Sequence, residues 1–107
     1  MDDAPQDAGP AEPVCRFNRE LGLTHAEFYR MLPPAVGHRE FAVEDDRVRI
    51  EDGHRHVTIE LGPQRYRQIA SLRLPFLEAR FTFVGFAPSE LEAFMARFRR
   101  YFQRGGG

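Results

Sequence analysis

Two histidines two positions apart, His54 and His56, are the side chains whose type and spacing best fit metal chemistry. On an extended strand they would lie on one side, about 7 Å apart from a rise of ~3.3 Å per residue. Zinc or copper needs a third or fourth ligand, and neither His25 nor His38 has a spacing that argues for convergence. We keep the pair as a metal candidate and prefer a solvated strand face.

Other catalytic and cofactor motifs are missing from the sequence. The acidic clusters at 44–46 and 51–52 flank predicted turns and lack the spacing of a calcium loop or a catalytic carboxylate pair. Cys15 has no partner base assigned to it, and the glycines are isolated apart from the terminal run, so no phosphate-binding loop is present. We predict no cofactor and favour a protein that is not an enzyme.

An aromatic strand offers a different chemistry. Residues 80–86, RFTFVGF, resemble the aromatic signature strand of the RNA-recognition-motif family, in which two alternating aromatics stack on bases. The resemblance implies single-stranded nucleic-acid binding by Phe81, Phe83 and nearby arginines. The chain departs from the family, since Arg80 replaces a glycine, no strand follows the last helix and no partner aromatic strand precedes the first. Burial of both rings in a core is the preferred interpretation.

Composition limits the remaining possibilities. A chain of 107 residues makes one domain, and the single cysteine excludes an internal disulfide, which fits a reducing compartment and the cytoplasm. All 15 basic residues other than histidine are arginine, a bias typical of a GC-rich, bacterial-like genome. No apolar run reaches the ~20 residues that span a membrane. From Gly62 onward eight arginines face three glutamates, a net charge of +5 that is too small to favour nucleic acid.

The chain divides into a tail and one domain. Residues 1–15 form an acidic tail rich in proline and alanine, whose composition predicts disorder, and residues 16–107 form the domain. Thr24 and Glu27 make a capping box, so a short helix should run from His25 to about Leu32. Pro33 and Pro34 should end it.

Alternating apolar residues beyond Gly37 predict an antiparallel meander. Its first three strands are centred on residues 41–43, 48–50 and 57–61, with turns at Asp45-Asp46 and Asp52-Gly53. The next strand, 65–74, needs a bulge near 68–70 to align its apolar residues, and Pro75 marks its end or a sheet edge. The last strand, 79–86, is apolar on both faces at its far end and should be central.

A second capping box, Ser89 to Glu92, opens a helix from Ser89 to Phe102 with one apolar stripe. Its opposite face carries Arg97, Arg100 and Arg104, which form a possible interaction surface.

We therefore predict an α+β fold with a short N-terminal helix, an antiparallel meander of four to five strands and a C-terminal amphipathic helix on one face of the sheet. The predicted function is a small non-catalytic binding or accessory module, with an unknown protein partner or self-association. The alternatives are single-stranded nucleic-acid binding and a small-ligand binder or enzyme with a helix–sheet pocket. The predicted core comprises Phe28, Met31, Val48, Ile50, Val57, Ile59, Leu61, Leu72, Leu74, Phe81, Phe83, Leu91, Phe94, Met95 and Phe98.

Overall fold

Two helices and six strands form the fold. The computed structural model describes residues 14–37 and 39–106, with the backbone alone for 103–106. The elements are β1 (Val14–Leu21), α1 (His25–Val36), β2 (Glu40–Glu44), β3 (Arg47–Asp52), β4 (Arg55–Leu61), β5 (Arg65–Ile69), β6 (Leu72–Val84) and α2 (Pro88–Gly106). The predicted α+β class, with an antiparallel sheet and a C-terminal helix packed on it, is confirmed.

A strand, and not a helix, comes first among the described elements. β1 has the sequence VCRFNREL, and of its residues only Phe17 and Leu21 pack against the core. So few apolar positions give no clear alternation, which is why the sequence did not predict this strand. Val14 and Cys15, which we assigned to the tail, lie in β1, and residues 1–13 are outside the described part of the chain.

The main sheet is antiparallel throughout, with strand order β1-β6-β4-β3-β2. β6 lies between β1 and β4, which confirms its predicted central position. One cross-strand row on the core side joins Phe17 to Phe81, Phe81 to Ile59, and Ile59 to Val48. Because side chains alternate along each strand, this row places the core on one face of the sheet and polar residues on the other.

Both helices cover the core face. Phe98 of α2 is 2% exposed and packs edge-on against Phe81 at 5.1 Å, and its ring lies 4.2 Å from that of Phe102 between centroids. Most of the predicted core is buried, with Met31, Leu61 and Leu91 only half-buried. Two members of the predicted core, Leu72 and Leu74, are instead exposed, so that part of the prediction is wrong.

Helix α1 continues through its two prolines to Val36, so the predicted end at Leu32 is wrong. Ala35 and Val36 are buried, and this burial favours a further turn of helix. The carbonyl of Pro34 accepts hydrogen bonds from Arg97 Nε at 3.2 Å and Nη2 at 2.8 Å, and from the Gly37 amide at 3.3 Å. At the N-terminus, the capping box between Thr24 and Glu27 is present as predicted.

Helix α2 begins one residue before the predicted Ser89. Pro88 takes the first helical position, where a missing amide hydrogen costs nothing. The amide of Ala87 donates to Glu90 Oε1 at 2.8 Å, so Ala87 is the N-cap residue. Of the two hydrogen bonds in a capping box, only this one from the N-cap amide to the glutamate side chain forms, because alanine has no side-chain acceptor. The helix is assigned through Gly106, beyond the predicted end at Phe102.

Candidate protein-binding surface

The two histidines are not brought together on a strand. His54 lies in the turn between β3 and β4, whereas His56 lies on β4 opposite Glu51 of β3. Within residues 14–37 and 39–106, no group of three or more His, Cys, Asp or Glu side chains is arranged to hold a metal ion.

Phe81 and Phe83 are buried, with 0% and 1% of their surface exposed. Phe98 of α2 covers the first ring, and Phe94 covers the second with 5.3 Å between centroids. Phe17 of β1 stacks on both, at 5.2 and 5.7 Å. A base has no access to either ring, so the stacking hypothesis loses the two side chains on which it depended.

The predicted arginine surface on α2 is engaged in part within the chain. Arg97 is half-buried and bound to the Pro34 carbonyl, so it joins α2 to α1. Arg100 is exposed on the helix, and the side chain of Arg104 is outside the described residues.

The structure instead presents a two-stranded hairpin formed by β5 and the start of β6. β1 accompanies β6 only as far as Leu77, and β4 only as far as Ala79. From Phe76 back to Leu72, β6 therefore has β5 as its only described neighbour. We call residues 65–76 the arm.

The arm replaces the single bulged strand that the sequence predicted over 65–74. The chain reverses at Ala70 and Ser71, and Ala70 adopts a left-handed backbone with φ 56°. The out-of-phase apolar residues thus lie on two strands rather than on either side of a bulge. Pro75 does not end its strand, since it pairs with Tyr66 inside the arm, but it lies where β6 has a free edge, the second of the two predicted alternatives.

The arm has two different faces. By strand alternation, one face carries an apolar cluster with two arginines, and the other carries mainly polar residues. The first face comprises Arg65, Arg67, Ile69, Leu72, Leu74 and Phe76; the second comprises Tyr66, Gln68, Arg73 and Pro75.

Large apolar side chains near the arm tip lie in solvent. Leu72 is 58% exposed, Ile69 51%, Tyr66 43% and Leu74 39%. An isolated two-stranded hairpin is at best marginally stable in water, because it buries too little apolar surface. Clustered exposed apolar residues mark interaction sites on many proteins. The arm has the properties of a surface that a partner covers.

Side-chain bonds hold the root of the arm to the body. Gln64, just before β5, accepts a 2.8 Å hydrogen bond from the amide of His25 at the start of α1 and donates one of 2.8 Å to the hydroxyl of Tyr66. The His25 ring Nε2 lies 2.9 Å from the Gly62 carbonyl. On the other face, Arg67 makes a 3.1 Å ion pair with Glu20 of β1. These contacts fix the direction in which the arm leaves the sheet.

Arginines of the arm also stack on its aromatic rings. The guanidinium of Arg67 lies 4.0 Å from the centroid of Phe76, and that of Arg73 lies 4.1 Å from the centroid of Tyr66. Each stack shields part of a ring from water and holds a cation in a defined position.

The densest cluster of charges lies at the opposite end of the sheet. Asp52 bridges Arg39 at 3.0 Å and Arg55 at 2.6 Å, and Arg55 also pairs with Glu90 at 2.7 Å. Partial burial alone would raise the pKa of Asp52, but hydrogen bonds from Arg39 and Arg55 and their charges outweigh it and lower the pKa. Hydrogen bonding to Ala87, and then to Arg55, lowers the pKa of Glu90. This arrangement ties α2 to the β3–β4 hairpin.

A tyrosine–aspartate bond joins α1 to the β2–β3 turn. The hydroxyl of Tyr29 donates to Asp46 Oδ1 at 2.9 Å. Burial, together with this bond and the negative charge of Asp46, raises the pKa of Tyr29 to about 12.

Depressions on the described surface lie on the open sheet face and at strand ends. One of about 450 Å³ is lined by charged and polar side chains that include Arg16, Glu60 and Arg80. Others border the β2–β3 turn and the root of the arm. The space between α2 and the sheet is filled by phenylalanine rings.

No protein-family model, curated protein or solved structure matches the chain. Of the described helices, none combines the length and apolarity needed to cross a membrane.

The sequence contains two signals for the arm that we did not use. Residues 62–77 hold three arginines and no acid, unlike the strands on either side. Ala70-Ser71 also separates two short runs that could pair with each other. These residues are not typical of a tight turn, so the apolar leucines were assigned to the core.

Proposed function

We propose that this chain is a small non-catalytic binding module for a protein partner, and that the arm is the part that binds. The observation that carries the proposal is the exposure of Leu72, Ile69 and Leu74 on a hairpin with no other covering element among the described residues. Burying a leucine side chain stabilises a complex by roughly 1.5–3 kcal/mol, so a partner that covers this cluster gains affinity from it.

The mode of binding that fits the arm is strand addition. Pro75 removes a backbone donor from the outer edge of β6, but the outer edge of β5 is intact and has no strand beside it among the described residues. Free edges of this kind pair readily with an extended segment of another chain. Main-chain hydrogen bonds would supply affinity, and the exposed side chains would supply selectivity.

A protein partner fits the arm better than nucleic acid. Arg67 is already paired with Glu20 and stacked on Phe76, and Arg73 is stacked on Tyr66. A nucleic-acid site would present such cations to phosphates and surround them with further basic residues. Among the other arm side chains, Ile69, Leu72 and Leu74 are exposed and aliphatic, which suits contact with protein, and Arg65 is a single further exposed cation. We expect this to occur in the cytoplasm, in keeping with the single cysteine.

A photo-crosslinking amino acid at position 72 tests the proposal. We expect a chain with the crosslinker in place of Leu72 to capture a discrete protein in extract of the source organism. The additional substitution Leu74→Ser should strongly reduce that capture. The matched control carries the crosslinker at Ala96, an exposed position on α2. Equal capture from both positions, or none from position 72, would refute the assignment of the arm as the binding element.

A further inference from the structure

The free edge of β2, at one end of the main sheet, complements the arm. β2 is the last strand of the sheet and has β3 as its one neighbour among the described strands. Its apolar side chains on the helix-bearing side, Phe41 and Val43, are 37% and 46% exposed. Apart from Val14, the large apolar residues exposed in the described chain all lie on β2 or on the arm.

The two surfaces carry opposite charge. The arm holds Arg65, Arg67 and Arg73 with no acidic residue. Residues 40–46, which form β2 and the turn after it, hold two glutamates and two aspartates with no basic residue. Such complementarity steers association and selects the correct partner.

Strand directions allow the two edges to meet between copies of the chain. Directly after β4, the Gly62 amide donates to the Glu78 carbonyl of β6 at 2.8 Å, and β5 begins three residues later, so β5 continues along the same edge of β6 as β4. The antiparallel pairings then make β5 and β2 run in the same direction. A two-fold rotation about an axis normal to the sheet reverses that direction. β5 of one copy can then lie antiparallel to β2 of the other, and the symmetry repeats the contact. Each strand has five residues.

Side chains match on both faces of such a pair. Traced through the cross-strand registers, Tyr66 lies on the helix-bearing side of the sheet with Phe41 and Val43, and Arg65 lies on the opposite side with Glu44. When β5 and β2 lie side by side and overlap along their whole length, Arg65 is opposite Glu44 and Tyr66 is opposite Val43. An opposite-charge pair and an aromatic–β-branched pair both stabilise antiparallel strands.

We propose that the arm of each copy binds β2 of a second copy, which joins the two sheets through two symmetric β5–β2 contacts. This inference rests on the proposed function, because it names the partner of the arm.

Complementary charge reversals test the dimer and its register. Arg65→Glu and Glu44→Arg should each weaken self-association about tenfold, because each places like charges at both contacts. Mixing the two variants in equal amounts creates a dimer in which both contacts again join opposite charges. Its dissociation constant should return to within about threefold of the original value. Sedimentation equilibrium over a concentration series into the millimolar range measures the dissociation constants of the parent, of each variant and of the mixture.

Arg30→Glu is the matched control, since it makes the same charge change at an exposed position on α1, outside the arm, β2 and the arginine surface of α2. It should leave the dissociation constant unchanged, and circular dichroism should show that all variants are folded. Recovery in the mixture also reports folding, because a misfolded variant cannot restore association.

Three results would overturn the dimer. The chain could be a monomer throughout the concentration series. It could associate but show no rescue when the variants are mixed, which would place the contact elsewhere. It could dimerise only after deletion of residues 1–13, which would mean that the acidic tail of the same chain covers the arm in the full chain. A monomer that still crosslinks another protein from position 72 would leave the proposed function standing.

Discussion

Replacing Phe98 by alanine should test the packing of α2 on the sheet. Its ring is 2% exposed and lies 5.1, 6.2, 6.4 and 4.2 Å from those of Phe81, Phe94, Phe28 and Phe102. Removing a phenylalanine so enclosed costs about 3–5 kcal/mol in the free energy of unfolding. For a domain of this size, each kcal/mol lowers the Tm by about 4–8 °C, so a decrease on the order of 12 °C or more is expected.

Leu72→Ala provides the contrasting variant. A buried leucine would cost about 2–5 kcal/mol on truncation, whereas most surface changes stay within about 0.5 kcal/mol. The structure exposes Leu72, and we therefore expect a loss of under about 1 kcal/mol. The two variants should thus differ by at least about 2 kcal/mol.

Urea unfolding followed by far-ultraviolet circular dichroism measures both losses, because the chain has no tryptophan to report by fluorescence. The lowest protein concentration that gives a signal keeps any contribution of association small. Equal losses in the two variants would contradict the separation between core and arm, as would a loss above about 2 kcal/mol for Leu72→Ala.

Three further predictions concern bonds between elements. Arg97→Met should lose about 1 kcal/mol of unfolding free energy and Arg97→Lys about half as much, because only arginine sends two donors to the Pro34 carbonyl; equal stability of all three proteins in urea would count against this link. The lowered pKa of Asp52 means that its stabilisation is present above its ordinary pKa of 3.8 and lost as pH falls through the lower folded value. The stability difference between the parent and Asp52→Asn should therefore shrink in acid, and a constant difference would be the contrary result. The raised pKa of Tyr29 stabilises the fold below its ordinary pKa of 10.0, an effect lost as pH rises to about 12. Tyrosinate absorbance should show a late step that Tyr29→Phe removes, and its persistence there would exclude the bond to Asp46.

Local signals made the strands from β2 to β4 and the start of α1 predictable. Thr24 and Glu27 bond to each other within a single turn, so nothing distant can alter them. The meander from β2 to β4 follows from strict alternation and short turns. The two consecutive aspartates of its first turn adopt positive φ, as a tight hairpin requires.

Features that depend on distant residues were missed. The last turn of α1 is supported by the burial of Ala35 and Val36 and by Arg97, 63 positions away, which bonds to the Pro34 carbonyl. The leucines of the arm have the pattern of a buried strand, but no helix or strand of the described chain reaches over them. Their exposure depends on where β1 and β4 end, and no local pattern marks that.

The same limit applied to the candidate site. His54, Phe81 and the α2 arginines were chosen for their chemical type, and the structure buries Phe81 in the core and bonds Arg97 to the Pro34 carbonyl. The arm has no rare chemical group; its basic charge is a weak signal, and its lack of cover is visible only in the structure.

The unbroken course of β6 has a mechanical consequence. Its thirteen residues pass from the arm into the centre of the sheet, and the half beyond Leu77 is clamped by strands on both sides. Force applied at the tip would therefore pass along the continuous backbone of one strand toward the rings of Phe81 and Phe83. Under the proposed function, slower hydrogen exchange of β6 amides deep in the sheet would report a partner bound at the arm.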